Sequence, residues 1–323
     1  MKLKVVFIGG WLIGSVWGGL APVEAAEIPY SVPEPIIGYN FQPENDGIIS
    51  GENDVVASNI ESDIEPGIES DEAESSNTLL YDFSVLLGAG VRNRYFLGDD
   101  TNESVPIVAV VFDLEYRNFF FEANRKNRIN AVLGRAYAGY HIWADEDSSI
   151  DLISGNYITG IETQDKDSQP IPELVNLKKR KDDYNFGVRY SRFKDDLYFS
   201  TELVYDVFAT SHESWIADTY VGKVLTQGNW DITVGASLIL YSSKVTNYHA
   251  GVTPEEVAPG ISSYHTGSSY TTNFEFSAQY PVSESWVFET GINYNHFSSN
   301  IKDSPLIIAD HMVVAYLGLE YVF

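Results

Sequence analysis

The chain has 323 residues, no cysteine and a formal net charge of −26, from 46 acidic and 20 basic side chains. Without cysteine there can be no disulfide framework, thiol nucleophile or cysteine-ligated metal. The six histidines are scattered, with no alternating or i, i+4 pair, so we predict no metal and no cofactor. We also expect no nucleic-acid partner.

Residues 1–25 have the pattern of a secretory signal peptide. Two lysines, Lys2 and Lys4, precede an apolar run over 5–20. The small side chains of Val23 and Ala25 occupy positions −3 and −1 of a cleavage site after Ala25. The alternative is an N-terminal membrane anchor, but the apolar run is short for a spanning helix. We therefore predict an exported chain.

Residues 26–78 form an acidic segment, called the tether below. From 26 to 77 it carries thirteen Asp and Glu residues and no Lys, Arg or His. Such a stretch buries too little apolar surface to offset the entropy of ordering, and its like charges repel one another. We predict a disordered tether. It could be an arm for a basic partner or for divalent ions, but a solvated spacer is the favoured interpretation.

From residue 79 to 323 the apolar side chains alternate with a period of two, as in β-strands. Segments of about eleven residues with aromatic side chains near their ends are typical of strands that cross a membrane as a barrel. We predict an all-β fold, a transmembrane antiparallel β-barrel, with strands over 80–91, 105–115, 118–124, 129–142, 184–192, 196–208, 214–225, 230–245, 268–280, 285–297 and 310–323. Bacterial barrels normally have an even strand number. Ile150–Ile161 is the candidate that brings the total to about 12 strands.

The last strand resembles the C-terminal recognition sequence of outer-membrane barrels. Its motif consists of Tyr316, Gly318, Tyr321 and Phe323. Counting back in twos from Phe323 gives an unbroken apolar face, whereas the intervening positions are mixed and carry the only charge. The barrel-assembly machinery is the expected partner for this motif. The alternative is an edge strand of a soluble sheet.

Four motifs, in order, resemble those of the MltA-interacting protein/outer membrane protein V (MipA/OmpV) family. They cover roughly residues 80–323. The matching segments are Val85–Asp100 with its Gly-Ala-Gly, Pro106–Phe121 with its Asp and Tyr, Gly251–Glu256 (Gly-Val-Thr-Pro-Glu-Glu), and Ile301–Leu306 with its Asp-Ser-Pro. In the first, the Ser of the family's Gly-Ser-Asp-Asp is missing after Gly98. Gly251–Glu256 could be a contact site, but we favour a loop-shaping role.

This resemblance implies a non-enzymatic protein of the outer membrane of a Gram-negative bacterium. The family's namesake is thought to bridge a murein hydrolase, a lytic transglycosylase, to a murein synthase. A scaffold whose tether and periplasmic turns contact such partners is therefore the expected function. No residue of this chain can be assigned to that contact from sequence.

A narrow cation-favouring diffusion channel is the alternative from another class. Alternation places several carboxylates inside the barrel, where they would attract cations; they belong to Glu202, Asp206, Glu275, Glu289 and Glu320. Inward carboxylates also simply fill and hydrate a barrel of this size. Charge sign alone does not decide between these interpretations.

A distant alternative is a lipid A deacylase-like hydrolase. His296, Ser298 and the later Asp310 resemble in spacing the His-x-Ser and acid of those enzymes. However, alternation places His296 on the lipid-facing set, and His212-Glu213-Ser214 shows that the pattern arises by chance. We predict no catalytic residue.

Two basic clusters fall in predicted external loops. One consists of Arg125, Lys126 and Arg128, and the other of Lys178, Lys179, Arg180 and Lys181. Either could hold the phosphates of lipopolysaccharide, which Arg binds bidentately. Ordinary balancing of nearby loop carboxylates is the favoured interpretation.

Overall fold

A computed structural model describes residues 6–7, 79–98, 105–123, 135–164, 169–209 and 211–323. Apart from Val6–Phe7, a two-residue strand paired in parallel with Ile107 and Val108, the predicted signal peptide and tether lie outside the described residues. The same holds for 129–134, the start of one predicted strand.

The described part of the chain forms a closed antiparallel barrel of twelve strands. Each strand pairs with its neighbour in sequence, and the last pairs with the first, from Val314 opposite Arg92 to Val322 opposite Ser84. Closure leaves no long sheet edge to be covered. The strands are β1 Leu79–Arg92, β2 Val105–Tyr116, β3 Phe119–Ala123, β4 Ala136–Ala144, β5 Ser148–Gly155, β6 Asn185–Lys194, β7 Leu197–Tyr205, β8 Trp215–Gln227, β9 Trp230–Tyr241, β10 Ser269–Pro281, β11 Trp286–Phe297 and β12 His311–Val322.

The twelfth strand inferred from parity exists, although its bounds differ from the prediction. It is β5, Ser148–Gly155, and it ends six residues before the predicted Ile161. The side chain of Asn156 donates to the backbone oxygen of Asp183, 2.8 Å away, so the chain leaves the sheet there. The predicted strand over 230–245 is likewise too long, because a helix, Ser243–Ala250, begins just after Tyr241.

Alternation along the strands separates an apolar outer face from a polar interior. Outward side chains such as Phe274 and Leu317 are each 56% exposed, whereas the inward Glu289 and Glu320 are at most 1% exposed. Exposing so much apolar surface is costly in water and favourable in lipid. The predicted inward and outward faces of β12 are therefore confirmed.

The two ends of the barrel differ in their connections. Short turns join β2 to β3, β4 to β5, β6 to β7, β8 to β9 and β10 to β11 at one end. In the β6–β7 turn, Asp195 and Asp196 both have positive φ, 51° and 62°, as a two-residue type I′ hairpin requires. Long connections join the strands at the other end. Short turns are periplasmic and long loops external in outer-membrane barrels, so this end is external.

The external connections fold together into a structure that we call the external cap, made of residues 93–98, 156–164, 169–183, 242–268 and 298–310. Its apolar core contains Leu174, Leu177, Val252, Ile261 and Leu306. The cap holds the helices α1, Ser243–Ala250, and α2, Ser299–Lys302, and the 3₁₀ turns Pro172–Leu174 and Pro254–Glu256. None of the described helices has the length and apolarity to cross a membrane.

Candidate functional site

The barrel interior is lined by carboxylates that lie almost wholly out of solvent. Seven inward acids are at most 6% exposed: Glu122, Asp151, Glu202, Asp218, Glu275, Glu289 and Glu320. Burying a charge is unfavourable unless it is paired or hydrogen-bonded. The hydrogen-bond and ion-pair partners of these carboxylates therefore determine the chemical character of the barrel interior.

On one side of the interior the partners are cationic. Arg189 of β6 donates to Oε1 of Glu122 at 2.6 Å and to Oδ2 of Asp151 at 2.9 Å. Oδ1 of Asp151 lies 2.7 Å from Nδ1 of His141. Arg135 lies 3.0 Å from Oδ2 of Asp218. Charge-assisted hydrogen bonds of this kind fix the side chains relative to one another.

On the other side the partners are hydroxyl groups. The Tyr316 hydroxyl donates to Oε1 of Glu289 at 2.6 Å, and the Tyr220 hydroxyl donates to Oε1 of Glu275 at 2.5 Å. The Ser84 hydroxyl donates to Glu320. Sequence reasoning assigned these glutamates to the interior but did not identify their hydroxyl partners.

Inward glycines provide the room that the tyrosine rings need. A Cβ at Gly291 would lie 2.7 Å from Cε1 of Tyr316, and one at Gly235 would lie 2.4 Å from the hydroxyl oxygen of Tyr220. Both glycines alternate with polar residues on the inward face, which was visible in the sequence. Which ring would cover each glycine depends on the register between strands, and the sequence does not specify that register.

Asp206, predicted to line the lumen, has a different role. It follows the end of β7, and its Oδ2 accepts hydrogen bonds from the backbone N–H groups of Ser211, His212 and Glu213 at 2.9–3.2 Å. A carboxylate held by backbone donors shapes its own loop. The sequence placed Asp206 among the inward carboxylates and did not predict this loop-shaping role.

A buried ion pair joins two loops of the external cap. The Arg180 guanidinium donates to both carboxylate oxygens of Glu256, at 2.7 and 2.9 Å. Glu256 also accepts from the backbone N–H of Lys178 and of Thr253, each at 3.0 Å. Burial acts to raise the pKa of Glu256, but the bonds from Arg180 and the two backbone donors outweigh it and lower the pKa to about 2.

Hydrogen bonds within the segment Gly251–Glu256 and from Arg180 fix the conformation of this loop. Thr253 and Glu256 form a capping box around the 3₁₀ turn Pro254–Glu256. The Arg180 guanidinium also donates to the backbone oxygen of Gly251, 3.3 Å away. These contacts support the loop-shaping interpretation of the motif. The Asp-Ser-Pro element lies in the same cap, where the Ser304 hydroxyl donates to the Ala250 oxygen at 2.6 Å.

His212 of the β7–β8 connection lies close to His249 of the external cap. The rings of His212 and His249 lie 6.1 Å apart, and Nε2 of His212 lies 3.4 Å from Oδ2 of Asp183. Burial lowers the pKa of His249 to about 3, so its ring is neutral near pH 7. Within the described ranges, no group of three or more His, Cys, Asp or Glu side chains could hold a metal ion.

The residues of the hydrolase hypothesis are not joined in a relay. Oγ of Ser298 accepts a hydrogen bond from the backbone N–H of Tyr270 at 3.2 Å. Oδ1 of Asp310 lies 2.7 Å from Nδ1 of His311 rather than orienting His296. Among the described contacts no hydrogen bond joins His296 to Ser298. A Ser nucleophile requires that bond, so the geometry does not support this alternative.

The basic clusters have separate positions. Arg125, Lys126 and Arg128 lie outside the described residues. Lys178, Lys179 and Lys181 are exposed on the cap, so their binding to lipopolysaccharide stays a prediction, whereas Arg180 is buried against Glu256.

In the C-terminal motif, Tyr316 and Gly318 face inward. Tyr321 packs on Trp286 and on Phe323, with ring centroids 5.0 and 4.8 Å apart. Recognition of the C-terminal motif by the barrel-assembly machinery stays a prediction.

Comparison with known proteins agrees with this architecture. The family model for "MltA-interacting protein MipA" matches residues 85–323. Outer membrane protein Omp26La of Vibrio anguillarum is 25% identical over 154 residues, which cover 47% of this chain and 59% of that protein. Outer membrane protein OmpV of Vibrio cholerae serotype O1 is 24% identical over 159 residues, 49% of this chain and 61% of that protein. The chain thus spans about three fifths of each relative's length.

Solved barrels are similar in outline. The NanC porin has 13% identity and a TM-score of 0.37, covering 73% of this chain and 98% of that one. In-vitro folded OmpT of Vibrio cholerae has 9% identity and a TM-score of 0.34, covering 78% and 100%.

Closure, an apolar outer face and a polar interior define the chain as an outer-membrane β-barrel. The family match covers almost the whole barrel. The chain belongs to the MltA-interacting protein MipA family and is a protein of the outer membrane.

Proposed function

We propose that the chain is a non-enzymatic scaffold that connects the outer membrane to murein-remodelling proteins. The barrel interior is the observation that carries this proposal. Its carboxylates are bonded to arginine, tyrosine and serine side chains of the same barrel and are almost wholly buried. A side-chain-filled barrel under an interlocked cap serves better as an anchor than as a conduit.

The periplasmic turns offer a surface for such partners. Asp145, Glu146, Asp195 and Asp196 are exposed at this end of the barrel, and the acidic tether precedes β1 in sequence. Together they would attract a basic protein surface. The family description names an interaction with MltA, which supports a murein hydrolase as the partner class.

Site-specific photocrosslinking tests the scaffold. A photoreactive amino acid at Glu146, in the periplasmic β4–β5 turn, should capture a lytic transglycosylase or a murein synthase in intact cells. The same group at Glu255, exposed on the external cap, is the matched control and should capture neither. The scaffold proposal fails if no murein enzyme is captured at Glu146, or if Glu255 captures it equally.

A cation-favouring channel is the second candidate, because the inward charges of β10, β11 and β12 are all carboxylates, from Glu275, Glu289 and Glu320. Planar-bilayer conductance of the refolded chain separates it from the scaffold. We expect a silent, heat-modifiable barrel. Stepwise openings whose cation selectivity falls in Glu289→Gln/Glu320→Gln would establish the channel instead.

The hydrolase alternative has its own test. Purified chain incubated with lipid A should release no fatty acid, because none of the hydrogen bonds among the described residues joins Ser298 to a histidine or a carboxylate. Release that disappears in Ser298→Ala would make the chain an enzyme and overturn the non-enzymatic proposal.

A further inference from the structure

The membrane-facing positions of the twelve described strands are nearly free of charge. Among the Asp, Glu, Lys and Arg residues of those strands, three alternate outward, and all three are basic: Arg192 and Lys194 on β6, and Lys223 on β8. The strand carboxylates take the inward positions. The chain has 46 acidic and 20 basic side chains, so its composition alone would favour acidic rather than basic residues among the charges on this face.

The three cations form one cluster. Across the β6–β7–β8 sheet, Lys194 is opposite Leu197, and Leu197 is opposite Lys223. Arg192 is opposite Phe199 in the next row. Directly opposed side chains on one face of a sheet have Cβ atoms about 5 Å apart. The basic groups therefore surround two apolar side chains on the outer surface.

The cluster lies at the periplasmic end of the barrel. Lys194 ends β6, and Leu197 begins β7 after the two-residue turn. An outward Lys or Arg is costly at the bilayer midplane but costs little near an interface. Long basic side chains there extend towards the headgroups. This position corresponds to the phospholipid headgroups of the inner leaflet.

A groove of about 430 Å³ runs between these side chains, bordered by Arg192, Lys194, Leu197, Phe199 and Lys223, together with Asp195. Lys194 makes an exposed ion pair with Asp147, 3.3 Å away. Among the described residues, no ion pair engages Arg192 or Lys223. Of the charged side chains that border the groove, three are cationic and one, Asp195, is a carboxylate.

We propose that this groove binds one anionic phospholipid of the inner leaflet. The headgroup phosphate lies between Arg192, which can donate two parallel N–H bonds, and Lys223. An acyl chain lies along Leu197 and Phe199. The excess of cations along the groove favours an anionic headgroup, such as that of phosphatidylglycerol, over zwitterionic phosphatidylethanolamine.

Native mass spectrometry of the refolded full chain, titrated with phosphatidylglycerol, tests this site. Each basic group near a membrane surface contributes about 1 kcal/mol to anionic-lipid binding. The Arg192→Gln/Lys223→Gln variant should therefore bind phosphatidylglycerol about ten- to thirtyfold more weakly. The matched control, Lys244→Gln/Lys302→Gln, removes two exposed cations from the external cap and should bind as the parent chain does.

Two further comparisons keep the result interpretable. Arg192→Lys/Lys223→Arg retains the charges and should retain binding, and heat-modifiable migration shows that each variant is folded. Undiminished binding in the Gln variant, equal loss in the control, or equal binding of phosphatidylethanolamine by the parent chain would overturn the proposal. A lipid-free dimer that dissociates in the Gln variant would assign the groove to a second copy and overturn it as well.

Discussion

At the scale of single residues, the Arg180–Glu256 pair is where the external cap is most sensitive to change. Removing one partner of a buried ion pair leaves the other charge uncompensated and typically costs about 3–5 kcal/mol. Replacing both by apolar side chains avoids that penalty. The pair therefore makes the cap depend on both residues being present.

We expect Arg180→Met to make the cap more susceptible to proteolysis while the amount of folded barrel stays the same, because Glu256 then stays buried without its Arg180 partner. Limited proteolysis followed by mass mapping of the cut sites measures this. Arg180→Met/Glu256→Leu should recover most of the resistance, and the exposed Lys179→Met is the control. Equal resistance in Arg180→Met and Lys179→Met would contradict the structural role of the pair.

Acid should loosen the cap in two stages. The pKa of His249 is lowered to about 3, so the unfolded cap binds a proton more readily, and stability falls as the pH drops from about 6.5 towards 3. The pKa of Glu256 is lowered to about 2, so its contribution is present above about pH 4.3 and is lost towards pH 2.

Hydrogen exchange of cap amides between pH 7 and pH 3, corrected for intrinsic exchange rates, checks this pH dependence. His249→Leu should remove the loss of protection between pH 6.5 and 4.5 and leave the lower stage intact. Identical profiles for the parent chain and His249→Leu would exclude His249 as the cause of the first stage.

At the scale of strands, inward glycines and tyrosines form matched pairs across the sheet. Gly291→Val should displace Tyr316 from Glu289, because even a Cβ at this position would lie 2.7 Å from Cε1 of the Tyr316 ring. Overpacking of this kind costs about 1–3 kcal/mol. Urea unfolding in detergent measures the change in the free energy of unfolding. Ile292→Leu, on the neighbouring outward position, is the control and should change it by less than about 1 kcal/mol.

The strands also show what could be predicted from sequence. Period-two alternation revealed the outward and inward faces of β10, β11 and β12, because only one face meets lipid. It failed at the end of the strand predicted over 230–245, because the buried Val245 belongs to the helix Ser243–Ala250. Alternation placed Asp206 among the inward carboxylates. It did not show that β7 ends just before this residue, or that the following loop donates backbone hydrogen bonds to its carboxylate.

At the scale of the whole molecule, the even strand number and the placement of both barrel ends followed from parity, and the twelve-stranded barrel is confirmed. The structure of the external cap was not predicted. Its core combines Leu174, Val252 and Leu306 from three loops distant in sequence, and short irregular segments carry no periodicity that reports their mutual contacts. The lumen's Tyr–Glu pairs were missed because the sequence does not specify the register between strands.

The C-terminal motif makes a prediction for the assembled protein. Phe323→Ala should lower the amount of folded barrel in the outer membrane, because we expect the assembly machinery to recognise the last aromatic residue. It should change the stability of the refolded protein little, since the Phe323 ring is 69% exposed. Heat-modifiable bands in outer-membrane fractions report the first effect, with Leu319→Ala as the control. Equal amounts of folded Phe323→Ala and parent chain would remove the recognition role.

The pairing of β12 with β1 also sets an order of events in time. A ribosome delivers β1 before β12, so the partner of Leu79–Arg92 does not exist until the other strands of the barrel have been made. Until then both borders of the growing sheet have unpaired backbone groups, which lipid cannot satisfy. Closure of the barrel in lipid therefore requires that all twelve strands have been synthesised. Whatever keeps it soluble on the way must protect β1 for the longest time.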